Sequence, residues 1–252
     1  MDGTDAVKPD VEENALLGGR VRLRQPARGY RAGMDAALLA AAVAPKPGER
    51  LFEAGCGAGA VLMQVAARQA GISLTGLERD SVAVGLAREN AALNGVAERT
   101  TILNGDVAHG FRALDLAPFD WAVSNPPFFD DPGALRAPAP GKTGAWMADD
   151  GLAAWTGLLL KSVREGGRIV VIHRADRLAD LLDLLGDKAG SFAIRPVQPF
   201  ADEPAKRVLV QAIKTGKAPL RLLPALVLHD RSGAKHTTEA EAILRGEAAL
   251  DW

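Results

Sequence analysis

Leu51-Phe52-Glu53-Ala54-Gly55-Cys56-Gly57-Ala58-Gly59-Ala60 reads as a short strand, a glycine-rich turn and the opening of a helix that continues through Val61, Leu62, Val65 and Ala66. Glycines at alternate positions let the backbone approach a ligand closely, because no Cβ stands in the way. The helix amino terminus that follows adds free amides and positive potential at the same point. Downstream, strands and helices keep alternating to about Lys214. The apolar runs Ile72 to Leu77, Thr101-Ile102-Leu103, Gly167 to Ile172, Phe192 to Val197 and Arg207 to Ile213 read as strands, and Asp80 to Leu93 and Ala175 to Leu185 as helices. That alternation is the pattern of a parallel sheet covered on both faces.

The glycine turn alone leaves two ligands open. Gly55-x-Gly57-x-x-Ala60 satisfies the dinucleotide fingerprint with alanine in the last place. Glu53, two residues before the first glycine, argues the other way: a carboxylate there repels a pyrophosphate but suits an ammonium group or an ordered water. A cationic amino-acid cofactor fits that charge better. The next strand ends in Glu78, about twenty residues past the glycines, where a carboxylate commonly holds ribose hydroxyls. Asp106 follows the third strand at the same edge of the sheet, and capping a short helix from Val107 to Ala113 is its competing role.

A second motif, Asn125-Pro126-Pro127-Phe128, comes directly after the apolar run Phe119, Trp121, Ala122 and Val123. Two consecutive prolines cannot continue a central strand, so the strand stops and presents Asn125 at its carboxyl end. Proline has no amide hydrogen and holds the preceding residue extended, so this stretch is stiff and rich in acceptors. The Asn125 side-chain oxygen and the Pro126 carbonyl make an acceptor pair, and the Phe128 ring stands beside it. Such a claw suits a planar ligand with an exposed amino group. An ordinary strand-ending turn has the same composition.

In this order and spacing, Glu53-x-Gly55-x-Gly57-x-Gly59, Glu78, Asp106 and Asn125-Pro126-Pro127-Phe128 resemble the class I S-adenosylmethionine-dependent methyltransferases that modify exocyclic or amide nitrogens. Within that class the chain is similar to the bacterial tRNA adenine N6-methyltransferases acting on adenine 37 of a valine tRNA. The segments Gln25 to Arg31, Asp35 to Ala40, Arg207 to Val210 and the stretch through Pro219-Leu220 add to the likeness, which spans roughly residues 15 to 230. Phe128 departs from it, because many relatives carry tyrosine there; either ring can stack on a base. The resemblance implies an α/β fold: a Rossmann-like doubly wound, mostly parallel seven-stranded sheet with helices on both faces. It implies S-adenosylmethionine as cofactor, held by Glu53, Gly55, Gly57, Gly59, Glu78 and Asp106. Asn125, Pro126 and Phe128 would be catalytic, and Tyr30, Arg31, Phe129 and Trp146 would meet an RNA substrate, tRNA above all. Ribosomal guanine N2 and protein glutamine N5 are alternative targets, each a planar NH2 group. A non-catalytic cofactor-binding module and a nicotinamide-dependent oxidoreductase are the readings from other classes, and the second gives the claw no work.

Composition bounds these readings. A chain of 252 residues that is 48% hydrophobic can bury one sizeable core. No apolar run is long enough for a bilayer and the acidic start is unlike a signal peptide, so a cytoplasmic protein is expected. A single cysteine, Cys56, leaves no internal disulfide, and the histidines at 109, 173, 229 and 236 lack metal-ligand spacing, so no metal is expected. The net charge of −1 means that RNA contact must come from a local patch. Arg20, Arg22 and Arg24 alternate with period two and offer one such face. By region, residues 1 to 14 read as a disordered acidic tail and 15 to 45 as an extended segment and a helix capped by Asp35. Residues 46 to 215 form the methyltransferase core and 216 to 252 a packed extension. The stretch from Asp130 to Asp150, rich in proline and glycine, reads as a long loop.

Overall fold

In the computed structural model, residues 10–27, 32–127 and 148–252 are described. The main sheet is built from β3 (Arg50–Ala54), β4 (Ser73–Glu78), β5 (Thr100–Asn104), β6 (Phe119–Ser124), β7 (Val163–Arg174), β8 (Ala189–Gln198) and β9 (Arg207–Lys214). Two-residue strands β10 (Arg221–Leu222) and β11 (Leu226–Val227) both pair with β8. The order is β10-β8-β9-β7-β6-β3-β4-β5. Pairing is parallel except where β9 runs antiparallel between β7 and β8. The expected seven-stranded, mostly parallel sheet is present, extended at one edge by β10 and β11.

The apolar strand runs divide their side chains by the period of two. Leu51, Trp121, Val123, Val170 and Ile172 enter one buried cluster, whereas Phe52, Ala54, Ala122, Ile169 and Val171 enter the other. Helices α1 (Met34–Ala41), α2 (Ala60–Arg68), α3 (Ser81–Leu93) and α6 (Thr238–Arg245) contribute to the first layer. Helices α4 (Ala148–Ser162) and α5 (Leu178–Gly186) contribute to the second. The chain goes outward from β3 through β4 to β5, then returns to lay β6 on the other side of β3. The reversal is a topological switch point, and ligands of doubly wound sheets bind outside the carboxyl ends of the strands at such points.

Three expectations about local structure change. Residues 11 to 14 are not part of an unstructured tail. They begin β1 (Val11–Leu16), which pairs antiparallel with β2 (Val21–Pro26) in a separate two-stranded sheet. The polar composition of β1 belongs to a strand with one wet face rather than to disorder. Asp35 does not cap α1: Gly33 occupies the cap position, and Asp35 pairs with Arg207 at 3.0 Å. Ala148 to Asp150, expected in a loop, open α4.

Helix α3 holds the hairpin by side-chain amides. Asn90 accepts from the Arg24 amide at 2.8 Å and donates to the Arg24 carbonyl at 2.8 Å. One helical turn later, Asn94 accepts from the Arg22 amide at 2.9 Å and donates to the Arg22 carbonyl at 2.7 Å. Four helical residues rise about 6 Å and two strand residues about 6.6 Å, so the two amides read alternate peptides of β2 like a neighbouring strand.

The end of the chain is similarly fastened. Arg68 donates to the Ile243 and Ala248 carbonyls, and Arg20 to those of Arg245 and Gly246, satisfying the carboxyl terminus of α6. The Trp252 indole donates to the Ala42 carbonyl at 2.6 Å.

The packing yields a paired prediction. A Cβ at Gly76, in the middle of β4, would fall 2.6 Å from Cys56 Sγ and 2.9 Å from Leu62 Cδ1, whereas one at Gly85 in α3 meets nothing within 4 Å. Gly76→Ala should cost about 1 to 3 kcal/mol in urea unfolding. Gly85→Ala should stabilise by about 0.5 to 1 kcal/mol. Equal effects at the two positions would contradict this packing.

Candidate active site

The turn after β3 needs its glycines for their backbone angles. Gly55, Gly57 and Gly59 have φ of 69°, 53° and 83°, the left-handed region that a Cβ disfavours. The Gly55 and Cys56 amides both donate to the Leu77 carbonyl, at 2.8 and 3.0 Å, which pins the turn to the end of β4. The Gly59 amide closes back on the Cys56 carbonyl at 2.8 Å, and α2 starts there. Gly57 has open space on the side where a Cβ would stand, so a ligand can meet the backbone directly.

Glu78 ends β4 and braces the same turn. Its Oε2 accepts from the Gly57 amide at 3.0 Å and its Oε1 from the Asp80 amide at 2.9 Å. Each oxygen retains a second lone pair for ligand hydroxyls. Asp106 serves its cap role in this state: Oδ1 accepts from the Ala108 amide at 2.9 Å, and Oδ2 lies 3.9 Å from Arg79.

Glu53 is the outlier. It is 2% exposed, and its Oε2 has no hydrogen-bond partner among the described residues. Burial, reinforced by the negative charge of Glu78, pushes its carboxyl well above the usual range, while the Leu62 amide near the start of α2 pulls the other way. A buried carboxyl with an orphaned oxygen and a raised pKa lacks a cation. A ligand carrying an ammonium group would supply one and favour the ionised form. The residues therefore fit S-adenosylmethionine: an open glycine backbone, a braced carboxylate and a buried acid without a counter-charge.

Asn125 and Pro126 stand beside this turn. Pairing of β3 with β6 sets Glu53 opposite Val123 and Ala54 opposite Ser124, so both chains leave the sheet at the same level, one into Gly55 and the other into Asn125. The Ser124 hydroxyl donates to the Ala54 carbonyl at 3.0 Å and locks the two strand ends together. Asn125 is half-buried and Pro126 buried. Glu53, Gly55, Gly57, Gly59, Glu78, Asp106, Asn125 and Pro126 thus gather at the carboxyl ends of β3 to β6. Phe128, Phe129, Trp146, Tyr30 and Arg31 lie outside the described residues.

Two features of the site were not read from the sequence. Trp155 of α4 lies against the glycine turn: a Cβ on Gly55 would be 2.3 Å from its ring. His173, near the end of β7, is buried, and burial with Arg177, Arg174 and Arg207 lowers its pKa to about 4. Arg174 and Arg177 are its chain neighbours, and only the pairing of β7 with β9 adds burial and Arg207 to them. The arginine face of β2 has other occupations. Arg20 caps α6, and Arg22 and Arg24 pair with Glu13 at 2.7 and 3.2 Å.

Comparison with known proteins agrees with this geometry. Residues 31–136 match the model of the methyltransferase small domain. The crystal structure of a predicted O-methyltransferase from Agrobacterium tumefaciens superposes with a TM-score of 0.69 at 27% identity, covering 86% of this chain and 98% of that one. The chain has the fold of the class I S-adenosylmethionine-dependent methyltransferases. More particular relatives are named tRNA1(Val) (adenine(37)-N6)-methyltransferase. The one from Dickeya chrysanthemi is 28% identical over 225 residues, 85% of this chain and 86% of its own. The one from Porphyromonas gingivalis is 30% identical over 172 residues, 64% of this chain and 66% of its own. Among the described residues no helix is long and apolar enough to cross a membrane.

Glu53 and His173 make opposite demands on pH. The folded pKa of Glu53 lies above its unfolded value of 4.5, so stability is lost as pH rises past about 4.5. The folded pKa of His173 lies below its unfolded value, so stability is gained as pH rises from about 4 to 6.5. In the wild type the slopes oppose each other. Glu53→Gln removes the first, so its stability should climb more steeply between pH 4.5 and 6.5 and exceed the wild type's at pH 7. Chemical denaturation across that range checks this, and parallel curves for the two proteins would contradict it.

Proposed function

We propose that this methyltransferase acts on an exocyclic amino nitrogen, N6 of an unpaired adenine in tRNA. The observation that carries the reading is that Asn125 and Pro126 directly follow β6, whose last residue, Ser124, pairs with Ala54 just before the glycine turn; the prolines add no amide donors there. The names of the relatives support adenine N6 in tRNA as the target. The Agrobacterium tumefaciens protein is described as acting on oxygen. A hydroxyl has a single hydrogen, whereas two acceptors match the two hydrogens of an amine.

Bound S-adenosylmethionine supplies an electrophilic methyl carbon. The proposed seat is Glu53 for the ammonium, the Gly55 to Gly59 backbone beside it, Glu78 for the ribose hydroxyls and Asp106 toward the rest of the adenosine. The work of the claw follows from the electronics of an aromatic amine, whose lone pair is delocalised into the ring. When Asn125 Oδ1 and the Pro126 carbonyl each accept one amine hydrogen, the nitrogen is drawn toward tetrahedral geometry. Its lone pair then leaves the ring system and faces away from the acceptors. Rate enhancement comes from positioning and preorganised dipoles, without a strong base. The target base must leave its stack to reach these groups, which costs least in a loop. We assign base stacking to Phe128 and substrate contact to Tyr30, Arg31, Phe129 and Trp146.

Mass spectrometric nucleoside analysis of RNA incubated with the protein and labelled cofactor tests the target. N6-methyladenosine in tRNA is expected. A product at guanine N2, or label in protein glutamine, would replace the substrate and leave the claw in place. Asn125→Ala should slow single-turnover methyl transfer by on the order of a hundredfold or more, with S-adenosylhomocysteine affinity within about twofold of wild type. Transfer at the wild-type rate would reduce the claw to a turn.

A further inference from the structure

We propose that Asn90 is a positioning residue for the cofactor turn, and that the β1–β2 hairpin is thereby a structural part of the cofactor site. The inference rests on the assignment of Gly55 to Gly59 as the cofactor's seat. Asn90 is wholly buried. Its side-chain oxygen accepts from the Arg24 amide at 2.8 Å, and its nitrogen donates to the Arg24 carbonyl at 2.8 Å and to the Ala58 carbonyl at 2.9 Å. An amide nitrogen has two hydrogens, and here both are used.

The Ala58 carbonyl is where a support matters most. Gly57 and Gly59 flank it, both with positive φ, and glycine crosses between backbone regions at little steric cost. Sterics therefore leave the orientation of the peptide after Ala58 open, and hydrogen bonds decide it. The Asn90 donor draws the carbonyl toward α3. The amide of the same peptide, on Gly59, points to the Cys56 carbonyl. Together these bonds shape the turn before a ligand arrives, which lowers the ordering cost of binding.

Asn90 can hold this direction because it is itself held. Its remaining bonds go to both polar groups of Arg24 on β2, so the hairpin orients the Asn90 amide. Asn94 is the natural comparison. It makes the same bidentate contact with Arg22, but its second donor goes to the Asn90 carbonyl at 2.8 Å, within α3, and not to the turn. Both residues dock the hairpin and only Asn90 reaches the cofactor loop.

The matched pair Asn90→Ala and Asn94→Ala tests this, with Asn90→Ser as a milder variant that keeps one hydroxyl donor. Calorimetric titration with S-adenosylhomocysteine, thermal unfolding and binding of unmodified tRNA without cofactor are measured for each. We expect Asn90→Ala to weaken S-adenosylhomocysteine about tenfold, Asn90→Ser less, and Asn94→Ala under twofold, with tRNA affinity unchanged in all. If Asn90→Ala does not fold, Asn90→Ser should still bind more weakly than Asn94→Ala. Equal losses at the two positions, or wild-type affinity in the Asn90 variants, would overturn the positioning role. Glu78→Gln measured alongside separates the premise: if it too binds at the wild-type level, the seat assignment itself has failed.

Discussion

The site depends on one constraint, a left-handed backbone at three alternate residues between a buried strand and a helix. Gly55, Gly57 and Gly59 make this turn possible, but they do not hold it. The Leu77 carbonyl, the Glu78 carboxylate and the Asn90 amide do, from β4 and α3. Glycine gives up more conformational entropy on folding than any other residue, so a turn with three of them needs such outside support. Both supporting elements lie beyond α2 in the chain, so the turn is held by parts of the fold outside its own strand and helix. The same sheet brings β6 beside β3 and pairs Ser124 with Ala54, the residues just before Asn125 and Gly55.

Buried charge shows how the site is poised. Glu53 occupies a place where its ionised form is costly, and no described residue offers it a cation. His173, near the end of β7, is kept neutral by burial and by three arginines. Both groups resist charging because burial disfavours their charged forms. In such a place a cationic ligand meets a carboxyl whose ionisation it promotes, and hydrogen bonds to a substrate amine gain strength relative to water.

The hairpin illustrates how one sequence signal can carry two physical meanings. Period two in Arg20, Arg22 and Arg24 correctly indicates a strand with a wet face, and Val21, Leu23 and Gln25 are buried between them. The charges, however, meet carboxylates and helix-end carbonyls of the same molecule, and the strand's peptide groups anchor α3. Alternation specifies which way side chains point; it does not specify what they meet.

What the sequence by itself determined is the part governed by local chemistry. Alternating apolar runs, the glycine spacing, the double proline and the carboxylates at strand ends led to the parallel sheet, the turn and the end of β6 before Asn125. Each is a property of a residue and its near neighbours. Asp35 shows where that reasoning stops: its position suggests a helix cap, but Arg207, 172 residues away, takes the carboxylate. Trp155 against Gly55, His173 against Arg207 and Asn90 between Ala58 and Arg24 are equally non-local. Tertiary structure alone decided these, because partners so far apart in sequence are chosen by strand order and helix packing, and no periodicity in the chain records which surfaces those will bring together.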